Sequence, residues 1–294
     1  VSRAFEDATA VARAETPGAT RFVAEIDPAW SVGRGPNGGY VAMLLLRALM
    51  ETVAATAPDE RIPRSLTIHY VAPPTPGHCH IETRIERSGR TLTTLTARLT
   101  QSAPQPSPSS PSSPSSPSAA QGERLCAVAL AAFFTPASAE GLTLRESAMP
   151  DVPPPEACRP FRGPDDGALP FTQHYDYRWA IGDPPLSGSA HARVGGWIRL
   201  AEPRVADALL VAAFTDAWVP SVYPRLAQPL ATPTIDLTIH FRTRLPRAGA
   251  RPDDFYFGVY TSRLGVEGFF EEDSEVWSKD GQLLAQSRQL ALLA

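Results

Sequence analysis

Residues 40–57, YVAMLLLRALMETVAATA, are apolar on nearly every side of a 3.6-residue period. That pattern predicts a helix buried from most directions. Residues 21–30, RFVAEIDPAW, read as a strand ahead of it, and VGRGPNGG as the turn between them. RSLTIHYVAP, HCHIETRIERSG and RTLTTLTARLTQ follow, rich in Thr, Ile and Val, partly alternating and punctuated by Pro or Gly. They predict an antiparallel meander of consecutive strands. ERLCAVALAAFFTP adds a strand, and residues 101–121, mostly Pro and Ser, separate it from the others. Pro and Ser at that density cannot build a core, which predicts a disordered insert at a hairpin tip. The second half runs HYDYRWA, ARVGGWIRL, a second apolar helix in DALLVAAFTDAWVPSV, then TIDLTIHFRTRLP, DDFYFGVYTSRLG, VEGFFEEDSEVWS and QLLAQSRQLALL.

One strand occurs twice. SLTIHYVAPPTPG starts at Ser65 and DLTIHFRTRLPRAG at Asp236, 171 residues later. The same offset carries Pro36, where the first helix begins, onto Asp207, where the second begins. Helix, long strand, strand, strand, turn and strand recur in that order, so the chain reads as a duplicated α+β unit. A first unit over residues 1–140, a Pro-rich linker over 141–170 and a second unit over 171–294 are expected. Each would be one long buried helix against a curved antiparallel sheet. Such a sheet leaves apolar surface uncovered, so the two units should pair through their sheets.

Composition narrows the function. The 294 residues are 43% hydrophobic, enough for a large core, and no apolar run stands out as a membrane span. A net charge of −4 gives no broad attraction for nucleic acid or anionic lipid. Cys79, Cys126 and Cys158 are too few and scattered for a disulfide framework. With no secretory leader near Val1 and no peroxisomal Ser-Lys-Leu in the final LALLA, an intracellular and cytoplasmic location is expected.

TDAWVP (Thr215 to Pro220), TIDLTIHFR (Thr234 to Arg242) and KDGQLLAQSRQ (Lys279 to Gln289) resemble the type II acyl-CoA thioesterase family, and GPNGGYVAMLLLRAL resembles it more loosely. The resemblance implies a double hot-dog fold and hydrolysis of an acyl thioester without metal, covalent intermediate or cofactor, coenzyme A entering only as part of substrate and product. It implies catalytic roles for Asp216, Thr234 and Gln289. The start of the first helix, PNGGY, departs from the family's usual Phe-Gly-Gly-Gln and bears on the acyl-side pocket. An acyl-CoA or a carrier-protein-bound acyl or polyketide chain would serve equally, since a pantetheine arm reaches the site in both. A homo-oligomer is compatible with the fold.

The residues themselves leave alternatives open. Asp216 reads as a carboxylate about nine residues into an apolar helix and near its C-terminal end, a costly place that marks either a functional group or a solvent-facing last turn. Thr234 fits ordinary β propensity as well as catalysis. Gln289 is either an exposed edge residue or a buried hydrogen-bonder. In the first copy the corresponding residues are Leu45, Pro63 and Leu130, none of them polar, as expected if one site of a duplicated pair is retained. As chemistry, Asp216 would take a proton from water that Thr234 and Gln289 hold. The Gln289 amide and the backbone N–H groups of Gly38 and Gly39, beside Tyr40 at the first helix start, would meet the oxyanion and substrate.

Gly33 to Gly38 fits G-x-G-x-x-G, but no acid ends the next strand and no parallel βαβ unit follows. His78 and His80 flank Cys79 without a third ligand, so no metal is expected. Two rivals remain: a hot-dog lyase or cyclase using Asp236 or His240, which would share a strand face with Thr234, and a non-catalytic acyl-binding protein in which Asp216, Thr234 and Gln289 would not converge.

Overall fold

The computed structural model describes residues 4–14, 20–57, 59–102, 122–136, 142–161 and 169–294. The first half comprises α1 (Phe5–Ala8), β1 (Val11–Ala14), β2 (Thr20–Ile26), α2 (Gly38–Thr56), β3 (Ile62–Tyr70), β4 (Gly77–Ser88), β5 (Leu92–Ser102) and β6 (Glu123–Phe134). The second comprises β7 (Arg159–Phe161), β8 (Tyr175–Ile181), β9 (Arg193–Leu200), α3 (Ala208–Phe214), β10 (Thr234–Phe241), β11 (Tyr256–Thr261), β12 (Gly265–Val266), β13 (Phe269–Ser278) and β14 (Leu283–Leu292).

All strands join one antiparallel sheet in the order β1-β2-β4-β5-β6-β3-β10-β14-β13-β11-β9-β8-β7, with β12 hairpinned onto β13. Read outward from the β3–β10 seam, the order is β6, β5, β4, β2, β1 on one side and β14, β13, β11, β9, β8, β7 on the other. The halves therefore repeat strand for strand as far as β1 and β8, with β7 an extra edge strand of the second half, and they pair through their sheets edge to edge. The repeated strands of the sequence are the seam itself: Leu66, Thr67 and Ile68 face Ile239, Thr238 and Leu237. Even an irregularity is duplicated. A β-bulge falls between Pro63 and Ser65 on the β3–β6 ladder and between Thr234 and Asp236 on the β10–β14 ladder.

The strand order corrects the expected meander. β3 does not pair with β4. It crosses to pair with β6, because its other edge is needed for β10. The hairpin of β5 and β6 is paired out to Ser102 and Glu123, and the Pro/Ser segment between them lies outside the described residues.

Helix α2 packs against β1 to β6 and against α3. Its side chains from Tyr40 to Leu46 are essentially inaccessible, so one apolar core runs through both halves. By length and composition α2 could cross a bilayer, contrary to the reading of the sequence, but here it is the core helix of the sheet that surrounds it. Asn37 caps it: the Asn37 Oδ1 accepts the Tyr40 N–H at 3.1 Å.

The second helix is shorter than its sequence suggests. α3 ends at Phe214; Thr215 and Asp216 turn tightly, their N–H groups reaching the carbonyls of Ala212 and Ala213 three residues back. Thr215 Oγ1 also bonds the Ala212 carbonyl at 2.7 Å, and Pro220 disfavours helix in the residue before it. Asp216 thus stands just beyond the helix rather than within it, whereas Leu45, at the corresponding offset, is buried inside α2.

Candidate functional site

The turn after α3 delivers Asp216 to the N-terminus of α2. The Gly39 N–H donates to Asp216 Oδ2 at 2.8 Å, and the Asn37 amide donates to the same oxygen at 3.1 Å and to the Asp216 carbonyl at 2.8 Å. The positive end of a 19-residue helix therefore offsets the cost of placing a carboxylate beside the end of α3. The approach is close because Gly38 and Gly39 lack side chains. A Cβ on Gly38 would lie 2.8 Å from Asp216 Oδ2, and one on Gly39 2.8 Å from the Ala213 carbonyl oxygen.

Burial nonetheless dominates and pushes the Asp216 carboxyl up to about 7. The Gly39 N–H pulls the other way, as do Asn37 and Gly38, while the charge of Glu272 adds to the rise. Four tyrosines, Tyr70, Tyr175, Tyr177 and Tyr260, lie within reach of the Asp216 charge, and burial raises all four phenols. Three of them donate to carbonyls: Tyr70 to Gly38 and Tyr177 to Ala217, each at 2.8 Å, and Tyr260 to Phe214. The Tyr175 hydroxyl is buried and has no partner among the described residues.

Thr234 and Gln289 meet directly. The Thr234 hydroxyl donates to Gln289 Oε1 at 3.0 Å. The β-bulge makes this contact: one extra residue between Thr234 and Leu237 brings Thr234 onto the inner face with Leu237 and Gln289, which are paired across β10 and β14. Asp236 and His240 stay on the other face, so the expected sharing of a face with Thr234 does not occur. Gln289 is 5% exposed, a buried hydrogen-bonder and not an edge residue. Its Nε2 donates to Glu272 Oε1 at 2.8 Å, and Glu272 Oε2 accepts the Ser221 N–H at 2.5 Å. Asp216 makes no direct bond to Thr234 or Gln289; Glu272 is the group in electrostatic contact with Asp216 and in hydrogen-bond contact with Gln289.

The acyl-CoA thioesterase N-terminal domain matches residues 26–134 and the acyl-CoA thioesterase C-terminal domain matches residues 155–293. The chain belongs to the acyl-CoA thioesterase family. A hot-dog-fold protein of unknown function from Alicyclobacillus acidocaldarius is 27% identical at a TM-score of 0.80, covering 100% of this chain and 99% of its own. A candidate thioesterase II from Thermobifida fusca YX is 26% identical at 0.75, covering 99% and 97%. The tesB protein of Mycobacterium avium subs paratuberculosis shares the fold at 0.70 and 18% identity, covering 98% and 97%. A search of curated proteins finds no match. The protein is a double hot-dog thioester hydrolase.

Within this thioesterase, the roles expected at the α2 start need revision. Gly39 donates its N–H to Asp216 and does not offer it to a substrate oxyanion. Tyr40 is inaccessible: its ring stacks on Trp30 at 5.0 Å, and its hydroxyl donates to the Ala8 carbonyl at 2.7 Å. It is a core residue with no exposed surface. The first-copy counterpart of Gln289 also shifts by one residue. Leu66 faces Ala131 as Leu237 faces Gln289, so the match is Ala131, 1% exposed, and not Leu130, which is 50% exposed.

Asn37, Glu272 and Tyr175 join the site without a motif to mark them. Glu272 is the least conspicuous, because FFEEDSE reads as an acidic, solvated strand. Its signal is the alternation of Phe270, Glu272, Ser274 and Val276, one face of β13 that begins and ends apolar. Among the described residues no group of three or more His, Cys, Asp or Glu could hold a metal ion. The cysteines are buried and unpaired.

Proposed function

We propose that this thioesterase cleaves an acyl-CoA with a water that Asp216 deprotonates and that Thr234 and Gln289 hold. The observation that carries the reading is the Asp216 carboxyl. It is clamped by two donors, yet raised by burial to about 7, where it is half-ionised near neutrality and suited to general-base work. The Thr234 hydroxyl gives its hydrogen to Gln289 and keeps its lone pairs for a water proton. One Nε2 hydrogen of Gln289 goes to Glu272, leaving the other for the water or the thioester oxygen. The Tyr175 hydroxyl is a further unspent donor in this buried surround and would steady charge developing on the carbonyl oxygen. A thiolate departs with little protonation, so no separate acid is required.

The pantetheine arm is common to coenzyme A and acyl carriers, and no cofactor is needed beyond it. The lyase alternative loses its candidates, because Asp236 and His240 face away from Gln289. The test is thiol release from medium-chain, long-chain and aromatic acyl-CoAs and from an acylated carrier protein, wild type against Asp216→Asn. Turnover of acyl-CoA that falls about a hundredfold or more in a folded variant supports the reading. Unchanged turnover overturns the role of Asp216. Release from the carrier alone reassigns the substrate.

A further inference from the structure

The inner face of the sheet differs between the two halves at one row. In the first half Leu66, Ala131 and Leu95 lie side by side across β3, β6 and β5. In the second the same row is Leu237, Gln289 and Glu272 across β10, β14 and β13. The first half fills the row with an alanine and a leucine, both essentially inaccessible, so the fold makes no demand for an acid there. Glu272 is 3% exposed. A buried carboxylate at a position that packs well as leucine is costly, and its one structural tie outside Gln289 is the Ser221 N–H.

What Glu272 does is fix an amide. A glutamine side chain can present either its oxygen or its nitrogen to Thr234. As a carboxylate Glu272 offers two acceptor oxygens, engaged by Gln289 Nε2 at 2.8 Å and the Ser221 N–H at 2.5 Å. Gln289 must therefore turn its nitrogen toward Glu272 and its oxygen toward Thr234, which in turn commits the Thr234 hydrogen. Ser221 is held from its other side by Ser262, Oγ to Oγ at 2.7 Å, so the anchor is itself braced. We propose that Glu272 is a positioning residue of the hydrolysis, orienting the Gln289 amide and through it the Thr234 hydroxyl toward the attacking water. The proposal rests on the assignment of Gln289 and Thr234 above.

Glu272 also sets the electrical surroundings of the base. The groups facing it are Gln289 from β14, Ser221, Tyr260 from β11 and Asp216, with Glu271 beside it on β13. Facing Asp216 are Tyr70, Tyr175, Tyr177 and Tyr260 besides Glu272. The acids in these two sets repel each other, and removing the Glu272 charge eases ionisation of Asp216.

The experiment compares kcat, KM and the pH profile of kcat for wild type, Glu272→Leu, Glu272→Gln, Gln289→Ala and the double variant Glu272→Leu/Gln289→Ala. Glu272→Leu installs the first-half residue and removes a buried charge but leaves the Ser221 N–H without its acceptor, so it is expected to fold with a somewhat lower Tm while kcat falls about 10- to 100-fold and KM stays within about threefold. The double variant is expected to be no slower than the worse single one, because both act through one amide. Glu272→Gln, whose Oε1 can still accept from Gln289, is expected to recover part of kcat and to move the acidic limb of the profile to lower pH. Wild-type kcat in Glu272→Leu, losses that multiply in the double variant, or an unmoved acidic limb in Glu272→Gln would overturn the proposal. Wild-type kcat in Gln289→Ala would instead remove the assignment beneath it.

Discussion

Thr67 and Thr238 stand 171 residues apart in the chain and face each other across the seam, Oγ1 to Oγ1 at 3.1 Å. That distance in sequence is the repeat offset itself, so each threonine is the other's counterpart and the local two-fold of the duplicated fold passes between them. Among the described residues the seam is the sole strand pair that joins the two halves' sheets. Since one apolar core also spans both halves, the protein should unfold in a single urea transition seen alike by far-ultraviolet dichroism and by tryptophan fluorescence. Thr238→Pro, in a strand paired on both sides, removes a ladder bond and should cost about 3 kcal/mol or more, read as a lower urea midpoint. A midpoint within error of wild type would show that the seam adds little.

The seam was legible because duplication is a property of the string: Leu-Thr-Ile-His recurs whatever the chain does in space. The burial of α2 was legible for a similar reason, since 18 residues with only Arg47 and Glu51 charged leave hardly any polar face to turn to water. The end of α3 was not, because ALLVAAFTDAW continues a helical pattern past Phe214 for several residues before Pro220, and the helix instead ends at the Thr215 back-bond, where Gly39 approaches. Nor was the face of Thr234. Counting by twos from Leu237 puts it outward, and a bulge that leaves no mark in composition turns it inward. Glu272 was hidden by its neighbours Glu271 and Asp273, half-buried acids whose charges make the strand read as solvated.

Asp216 carries a stability cost with a definite pH signature. Its carboxyl ionises near 3.8 when unfolded and at about 7 when folded. The folded state thus prefers the neutral form: the cost is absent below about 4, grows as pH rises to about 7 and is complete above that. Asp216→Asn keeps an oxygen for the Gly39 N–H and never ionises, so it should stabilise the protein by up to about 4 kcal/mol at pH 8 and hardly at all at pH 4. The Tm difference between variant and wild type, followed from pH 4 to 8, should therefore widen. In the wild type kcat should rise with pH through the same range as the base loses its proton. A Tm difference that narrows as pH rises would mean the carboxyl is not raised in the folded protein.

The two glycines at the start of α2 should respond differently to alanine. Each substitution, in the first turn of α2, gains at most about 1 kcal/mol of helix propensity. At Gly39 the new Cβ meets backbone, 2.8 Å from the Ala213 carbonyl oxygen and 3.2 Å from its Cα, so α2 and α3 must separate and Tm should fall despite the propensity. At Gly38 it meets side-chain ends, 2.8 Å from Asp216 Oδ2 and 3.2 Å from the Tyr70 hydroxyl. Those can move, so Gly38→Ala should hold its Tm and lose kcat about tenfold or more through displacement of the base. A Gly38→Ala enzyme with wild-type kcat would show that the Asp216 carboxylate tolerates displacement or does not act.

Tyr175 separates folding from catalysis most cleanly. Its ring lies in the core, 5.6 Å from Tyr177 and 6.0 Å from Phe214, while its hydroxyl is buried without a partner among the described residues. An unsatisfied buried hydroxyl costs about 1–3 kcal/mol, so Tyr175→Phe, which keeps the ring and removes the oxygen, should raise stability by about that amount. If the hydroxyl exists for the core alone, the variant gains stability and loses nothing. As a donor to the reacting carbonyl it is retained against that cost, and Tyr175→Phe should raise Tm while lowering kcat about tenfold with little change in KM. Higher Tm with unchanged kcat would leave the second Gln289 hydrogen as the donor that meets the oxyanion. Lower Tm would mean the hydroxyl has a partner in the folded protein that offsets its burial.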